Sequence, residues 1–261
     1  VPAPMQSVWI SPDILLTAAG AGVERNSLQN LPEKYVMLVL LARNVLTFLV
    51  FWETMSLASY SLVMTESERE ETRSAGWLYM VMTHAGLGCL LIGFLAMSQA
   101  TGSFAMSDWA RAAYSIDPAV RSAIFLVMAA GFLCKAGAIP FHVWLPRAHP
   151  AAPSHVSALM SGVMIKLGIY GLLRLGFDWL GQGPAWWGIV ILIVGAVSAL
   201  MGVLYALIDT DLKRLLAYSS VENIGVILLG VGAGMVFRAY NLGALAALAL
   251  VAALYHSLNH A

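Results

Sequence analysis

The stretch FLVMAAGFLCKAGAIPFHVWLPRAHPAAPSHVSALMSGVMIKLGIYGLLRL, residues 125–175, contains two long apolar runs separated by a proline-rich segment. Lys135 lies inside the first run and Lys166 lies inside the second, with four prolines between them. The whole chain of 261 residues has only four lysines. Half of the lysines therefore lie where a charge is expected to be most expensive, and a function is needed to explain them.

The composition places the chain in the membrane. It is 60% hydrophobic and 11% charged, whereas a soluble domain carries roughly 25% charged residues. Several apolar runs reach the ~20 residues that an α-helix needs to cross a bilayer. These runs lack the alternation that a transmembrane barrel requires. The sequence therefore predicts an all-α, polytopic transmembrane helix bundle that contacts the lipid bilayer. The net charge of +0 gives no indication of nucleic-acid binding.

Hydropathy predicts six clear membrane spans and a seventh, less apolar one. The six are residues 43–64, 77–98, 120–139, 154–175, 186–208 and 240–261, and the seventh is 214–233. Residues 1–42 are predicted to be an irregular or truncated N-terminal region, and residues 43–261 one transmembrane domain. The chain does not begin with Met, which suggests a fragment or a processed start.

Several ionisable residues fall within these spans, although a charge at mid-membrane costs about 2.5–3.5 kcal/mol on insertion scales. They are Glu53, Lys135, Lys166, Glu222, His256 and His260. One interpretation is structural: buried lysines pair with carboxylates and hold helices together. The other is a proton relay, because burial disfavours the ammonium form of a lysine while a nearby carboxylate favours it. Glu53 is the only acid in the first span, so it is the expected partner of Lys135.

The segment 138–155 predicts a proline-broken helix just after Lys135. A proline within a helix frees a backbone carbonyl, and irregular backbone at membrane depth is tolerated only where protein or water satisfies it. We therefore expect a polar cavity there, with His142 either in the relay or hydrogen-bonded in a loop. His149 and His155 are expected at the membrane interface, and His84 is expected to be a hydrogen-bonded core histidine.

His256 and His260 are four residues apart, so they share one helical face. They suit a relay, simple packing, or a metal or haem. No third metal ligand is evident, and a haem would need a second ligand from another helix, where His84 is available. The two cysteines show no disulfide or metal spacing. We therefore predict neither a metal nor a cofactor.

Three motifs carry a family resemblance. WETMSLASY (52–60), CKAGAIPFHVWLPRAHPAAPSHVSALMSGVMIKLGIYGLLR (134–174) and TDLKRLLAYSSVENIG (210–225) resemble the antiporter-like membrane subunits of respiratory complex I, the multisubunit cation/proton antiporters and the energy-converting hydrogenases. The wording of RAHPAAPSHVSALMSGVMIK and of VENIGVILLG (221–230) is similar to the formate hydrogenlyase and hydrogenase-linked branch.

The resemblance implies roles for particular residues. Glu53 would pair with Lys135, Lys166 would connect them onward to His256 and His260, and His142 would lie in the broken segment. Glu222 is open between a relay site and a structural acid. Residues 43–261 would form the first half-channel and connecting helices of a longer protein, truncated at the C-terminus.

We therefore predict a proton-translocating subunit, without a redox centre, of a hydrogenase- or complex I-like oxidoreductase in the cell (inner) membrane. Its partners would be other membrane subunits and a peripheral redox module. Three alternatives stay open: a secondary sodium/proton antiporter subunit, a quinone- or haem-binding membrane subunit, and a passive scaffold.

Overall fold

A computed structural model describes residues 31–261, which form helices and turns without a strand. Residues 1–30, most of the predicted N-terminal region, lie outside the described residues; residues 31–41 are helical. Two π-helical turns, Met160–Met164 and Leu175–Trp179, flank the helix Ile165–Arg174. The helices are α1 (Leu31–Leu41), α2 (Val45–Val63), α3 (Glu70–Thr101), α4 (Trp109–Ala112), α5 (Pro118–Ala136), α6 (Leu145–Ala151), α7 (Ser154–Leu159), α8 (Ile165–Arg174), α9 (Ala185–Ile208), α10 (Leu212–Ala239) and α11 (Gly243–Asn259).

Six helical segments are long and apolar enough to cross a membrane: Val45–Glu66, Glu70–Thr101, Pro118–Ala151, Ser154–Trp179, Ala185–Ile208 and Leu212–Ala239. The predicted all-α transmembrane bundle is confirmed. The sequence predicted 240–261 as a clear span and 214–233 as a less apolar one, and the structure differs at both. The less apolar span around 214–233 is a 28-residue helix, whereas the apolar span 240–261 contains a helix of only 17 residues. A turn at Asn241, whose φ is 59°, takes up the beginning of that span.

Short polar side chains fix where three of the crossing helices begin. Asn44 caps α2 by accepting a hydrogen bond from the Thr47 N–H at 2.8 Å, and Asp211 caps α10 by accepting from the Arg214 N–H at 2.9 Å. Asp117 caps α5, with Pro118 at its first helical position. Side-chain caps of this kind satisfy backbone donors that the first turn leaves free, and proline is well suited to that first position.

An interlocked aromatic core holds the part of the bundle that surrounds Lys135. Trp52 on α2 lies 5.7 Å from Phe132 on α5, centroid to centroid, and Phe94 on α3 lies 5.4 Å from Trp179 in the second π turn. All four side chains are fully buried. Tilted and edge-to-face pairs of this kind stabilise a core beyond the area they bury, so α2, α3 and α5 are held in a fixed arrangement.

The predicted break after Lys135 is present, but a glycine makes it. Helix α5 ends at Ala136, and Gly137 has a left-handed φ of 71°. The Gly137 N–H donates to the Cys134 carbonyl at 3.3 Å, and the Ala138 N–H donates to the Leu133 carbonyl at 3.1 Å. These are the two bonds of a Schellman cap. The helix has therefore already ended before Pro140, so the prediction that prolines break it is corrected.

Gly137→Ala should lower the free energy of unfolding by about 1–2 kcal/mol, because a left-handed backbone is costly for a residue with a Cβ. A Cβ at this position would also meet the Leu145 side chain at 3.3 Å. Gly88→Ala on α3 is the matched control, since nothing lies within 4 Å of its Cβ position. The control should be neutral or slightly stabilising. Denaturation of the detergent-solubilised variants measures both, and equal stability of the two would contradict the role of Gly137.

Candidate functional site

Lys135 is buried in the last turn of α5, with 3% of its surface exposed. Its Nζ donates to Ser56 Oγ at 3.0 Å and lies 3.5 Å from the Tyr79 hydroxyl. It also lies 5.9 Å from the ring centroid of Trp52 and 5.7 Å from that of Tyr79. Within the described residues, its polar partners are thus neutral hydroxyls and aromatic faces. No carboxylate in this part of the chain is at ion-pair distance from it.

Glu53 pairs with a different residue from the one predicted. Its Oε1 lies 3.1 Å from Nε2 of His84 on α3. Its Oε2 is buried and has no hydrogen-bond partner among residues 31–261. Glu53 and Ser56 are three residues apart, so they are neighbours on one face of α2. Glu53 therefore lies beside the residue that Lys135 contacts, and the expected direct contact between Glu53 and Lys135 is not made.

His84 was missed as a site residue. Its ring is hydrogen-bonded, as expected, with Nδ1 2.9 Å from the Met80 carbonyl. It is not a core residue, because 47% of its side chain is exposed on the lateral surface of the bundle. A signal was available, since His84 is the only histidine in its predicted span. Its partner could not be found from sequence, because the partner depends on how α3 is rotated against α2.

Lys166 and His260 are brought together by the fold. Lys166 Nζ lies 2.7 Å from His260 Nδ1 and 3.3 Å from the His260 carbonyl, and it also contacts the Ser161 carbonyl. Ser161 belongs to the π turn that precedes α8. Such single π turns are frequent at functional sites. The π turn directs a carbonyl to the lysine five residues later, which the sequence does not reveal.

The helix bearing Lys166 lies directly against the helix bearing Lys135. A Cβ at Gly168 would approach the Phe132 carbonyl to 2.5 Å and the Ala136 nitrogen to 2.7 Å. Only a glycine therefore permits this crossing of α5 and α8. The two lysines do not touch, but the close crossing places their helices side by side.

His256 has a separate partner from His260. Its Nε2 lies 2.9 Å from the Asn223 Oδ1 on α10. The two histidines are thus directed to different groups rather than to one ligand. Within residues 31–261, no three histidine, cysteine or acidic side chains converge on a position that could hold a metal.

His142 and Glu222 are not joined to these pairs. His142 lies in the 3₁₀ turn Phe141–Trp144, stacked over Tyr205 with a centroid distance of 6.3 Å. Its Nδ1 is buried without a partner among the described residues. Glu222 is half-buried on α10 and has no ion-pair partner in the described part of the chain. Neither residue contacts Lys135 directly.

His149 is buried within the protein, next to the end of α6. It is 3% exposed, its Nδ1 is hydrogen-bonded to Ser157 Oγ, and its Nε2 has no partner within residues 31–261. Its position follows from α6, the short helix after the break, which packs against α3 and α10. His155, four residues before Leu159 on the next helix, is exposed.

A polar cleft of about 1000 Å³ opens at the end of the bundle next to His149. Lys213 donates to the carbonyls of Ala152 at 2.9 Å and Pro150 at 3.4 Å in its wall. The cleft brings solvent to the residue that follows His149. Its charged lining residues are Glu66, Arg69, Glu70, Glu71, Arg147, Asp211, Lys213 and Arg214.

The family model for the transmembrane region of NADH:quinone oxidoreductase and Mrp antiporter subunits matches residues 42–258. The chain belongs to this family. The match contains every candidate site residue except His260, and it confirms the resemblance found in the three motifs.

Individual proteins show the same relationship. Hydrogenase-4 component B of Escherichia coli (strain K12) is 48% identical over 225 residues, covering 85% of this chain and 33% of that protein. Formate hydrogenlyase subunit 3 of the same organism is 37% identical over 241 residues, covering 92% and 38%. A chain in the structure of the Mrp complex from Dietzia sp. DQ12-45-1b aligns with a TM-score of 0.75 and 28% identity, covering 89% and 25%. The chain thus spans about a third of the length of these curated relatives. It is an antiporter-like, multi-pass membrane segment.

Proposed function

We propose that this segment translocates protons as part of a membrane subunit of a hydrogenase- or complex I-like oxidoreductase. The observation that carries the proposal is the burial of Lys135 among neutral hydroxyl groups. A lysine that only held helices together would be expected to pair with a carboxylate, because an unpaired buried charge is costly. Lys135 has no such partner within the described residues.

The contacts of Lys135 suit both of its protonation states. Hydroxyl groups accept from an ammonium and can also donate to a neutral amine. The rings of Trp52 and Tyr79 add cation–π attraction for the charged form. The site therefore does not force one state, which is what a residue that takes up and releases a proton requires.

The remaining residues suggest an order for the relay. The polar cleft, His142 and His149 all lie beside the segment that follows the break after Lys135. Glu53, one helical turn from Ser56 on α2, modulates the protonation of Lys135. Lys166 and His260, and then His256 with Asn223, form hydrogen-bonded pairs on the far side of the α5–α8 crossing. We propose that Glu222, next to Asn223, is an acid in the same part of the relay as His256.

The names of the relatives suggest the partners. Hydrogenase-4 component B and formate hydrogenlyase subunit 3 are components of larger assemblies by their names. We infer that this segment works beside other membrane subunits in the cell (inner) membrane. We propose that a peripheral redox module supplies the energy.

Sodium/proton antiport is the second candidate, favoured by the likeness to the Mrp complex. Hard cations bind through oxygen ligands. When Lys135 is protonated, its ammonium group occupies the hydroxyl oxygens beside it and repels a second cation. The geometry therefore favours protons over sodium at this site.

Vesicles that contain the complete complex distinguish the two candidates. Redox-driven acidification, followed with a pH-sensitive dye, should proceed at the same rate in sodium-free and sodium-containing buffer. Proton-conducting uncouplers should abolish it. A requirement for sodium, or sodium uptake that matches the proton flux, would contradict proton translocation and favour antiport.

A further inference from the structure

The Glu53–His84 pair has a hydrogen-bonding pattern that fixes how many protons it holds. His84 Nδ1 lies 2.9 Å from the Met80 carbonyl oxygen. A carbonyl oxygen can only accept, so Nδ1 carries a hydrogen. In a neutral imidazole the other nitrogen, Nε2, would then be an acceptor without a hydrogen.

The contact of Nε2 with Glu53 therefore requires one further proton. The distance from Nε2 to Glu53 Oε1 is 3.1 Å. An unprotonated Nε2 and a carboxylate oxygen would present two acceptors to each other. Either the histidine is an imidazolium beside a carboxylate, or a neutral histidine accepts from a protonated Glu53. Both forms hold one proton in the bond, and both leave the pair with no net charge.

We propose that Glu53 and His84 together form a storage site for one proton, with His84 as a proton-carrying residue of the relay. This inference rests on the proposed function and deepens it. When the proton leaves, the pair carries one negative charge and stabilises the Lys135 ammonium. When the proton returns, that attraction is lost and Lys135 releases its own proton more readily. The proton on the pair and the proton on Lys135 are thereby coupled.

Three observations support a storage site over a static bond. Glu53 Oε2 is buried and unpartnered within residues 31–261, so it is free to accept a second hydrogen bond during transfer. The Glu53 side chain lies one helical turn from Ser56, which Lys135 contacts. The His84 side chain is 47% exposed on the outer surface of α3, so residues 31–261 do not enclose its ring.

Among residues 31–261, no further group competes for hydrogen bonds to the ring nitrogens of His84. Within the described residues, only Glu53 and Met80 are within bonding distance of its nitrogens. The elements packed against α3 carry other titratable groups, whose charge can also influence the pair. They are Tyr60, Glu66, Arg111, Arg121, Cys134, Lys135, His142, Arg147 and His149.

Two substitutions at one position test the storage site in the full-length protein within its complex. His84→Gln keeps an amide donor for Glu53 but cannot take up a proton, and His84→Arg keeps a permanent positive charge that cannot be released. Both should lower redox-driven proton uptake by roughly tenfold or more, since a positioned proton-transfer group contributes about 10²–10⁴-fold. Both should also flatten the dependence of uptake on pH. His155→Gln, at an exposed histidine, is the control and should match the wild type.

Infrared difference spectra on acid titration give a second readout that does not depend on pumping. Wild type should show a carboxyl band that shifts in Glu53→Asp and is altered in His84→Gln. A purely structural hydrogen bond predicts instead that His84→Gln or His84→Arg restores wild-type uptake and pH dependence, and that result would overturn the proposal. If Lys135 variants lose uptake while His84 variants do not, only the storage site fails. If Lys135 variants also pump normally, the proposed function itself fails.

Discussion

Lys135→Met should abolish redox-driven proton uptake while the redox turnover of the partner module, measured with an uncoupler present, stays largely intact. Methionine is an unbranched, flexible side chain that can occupy the space between Ser56, Trp52 and Tyr79, but it has no group that binds a proton. We expect a loss of at least about 10²-fold, the lower end of what positioned proton-transfer groups contribute. Vesicles with the full complex and a pH-sensitive dye measure the uptake.

The controls for this variant separate loss of function from loss of fold. Lys34→Met makes the same chemical change at an exposed lysine on α1 and should pump normally. Lys135→Met should also unfold no more readily than the wild type, because replacing a buried charge by an apolar side chain is often neutral or stabilising. Pumping at the wild-type rate by a correctly assembled Lys135→Met complex would refute the role of this lysine.

The sequence predicted well those features for which the alternative arrangement has a high free-energy cost. Apolar runs of ~20 residues have few alternatives to crossing a membrane, so the helices were found with small errors. Lys135 and Lys166 were singled out because a charge is expensive there. Both conclusions follow from composition along the chain and need no knowledge of how the helices pack.

The features that the sequence did not predict depend on rotation, register and local caps. The choice of His84 over Lys135 as the partner of Glu53 follows from how α3 is rotated against α2. The break after Lys135 was assigned to prolines, although Gly137 ends the helix three residues earlier. The burial of His149 depends on how α6 packs against α3 and α10. In each case the residue type was visible, but its neighbour in space was not.

Lys166→Met should reduce proton uptake by about 10²-fold or more, because it removes the proton-binding group that joins the α5–α8 crossing to His260. The residue is half-buried, and its Nζ lies 2.7 Å from His260 Nδ1. The same vesicle assay measures the uptake, with Lys34→Met again as the matched control. Loss of uptake in Lys166→Met alone would leave two explanations: loss of a proton carrier, or loss of a positive hydrogen-bond donor that holds His260 and Ser161 in place.

Lys166→Arg separates these two explanations. Arginine is a permanent cation with several donors, so it can hold the His260 ring and the Ser161 carbonyl about as well as lysine does. It cannot be deprotonated in a protein, so it cannot pass a proton on. If Lys166 carries protons, Lys166→Arg should be as defective as Lys166→Met although its thermal stability stays near that of the wild type. If Lys166→Arg pumps normally, the contact between Lys166 and His260 is a structural bond, and the relay must reach His256 by another route.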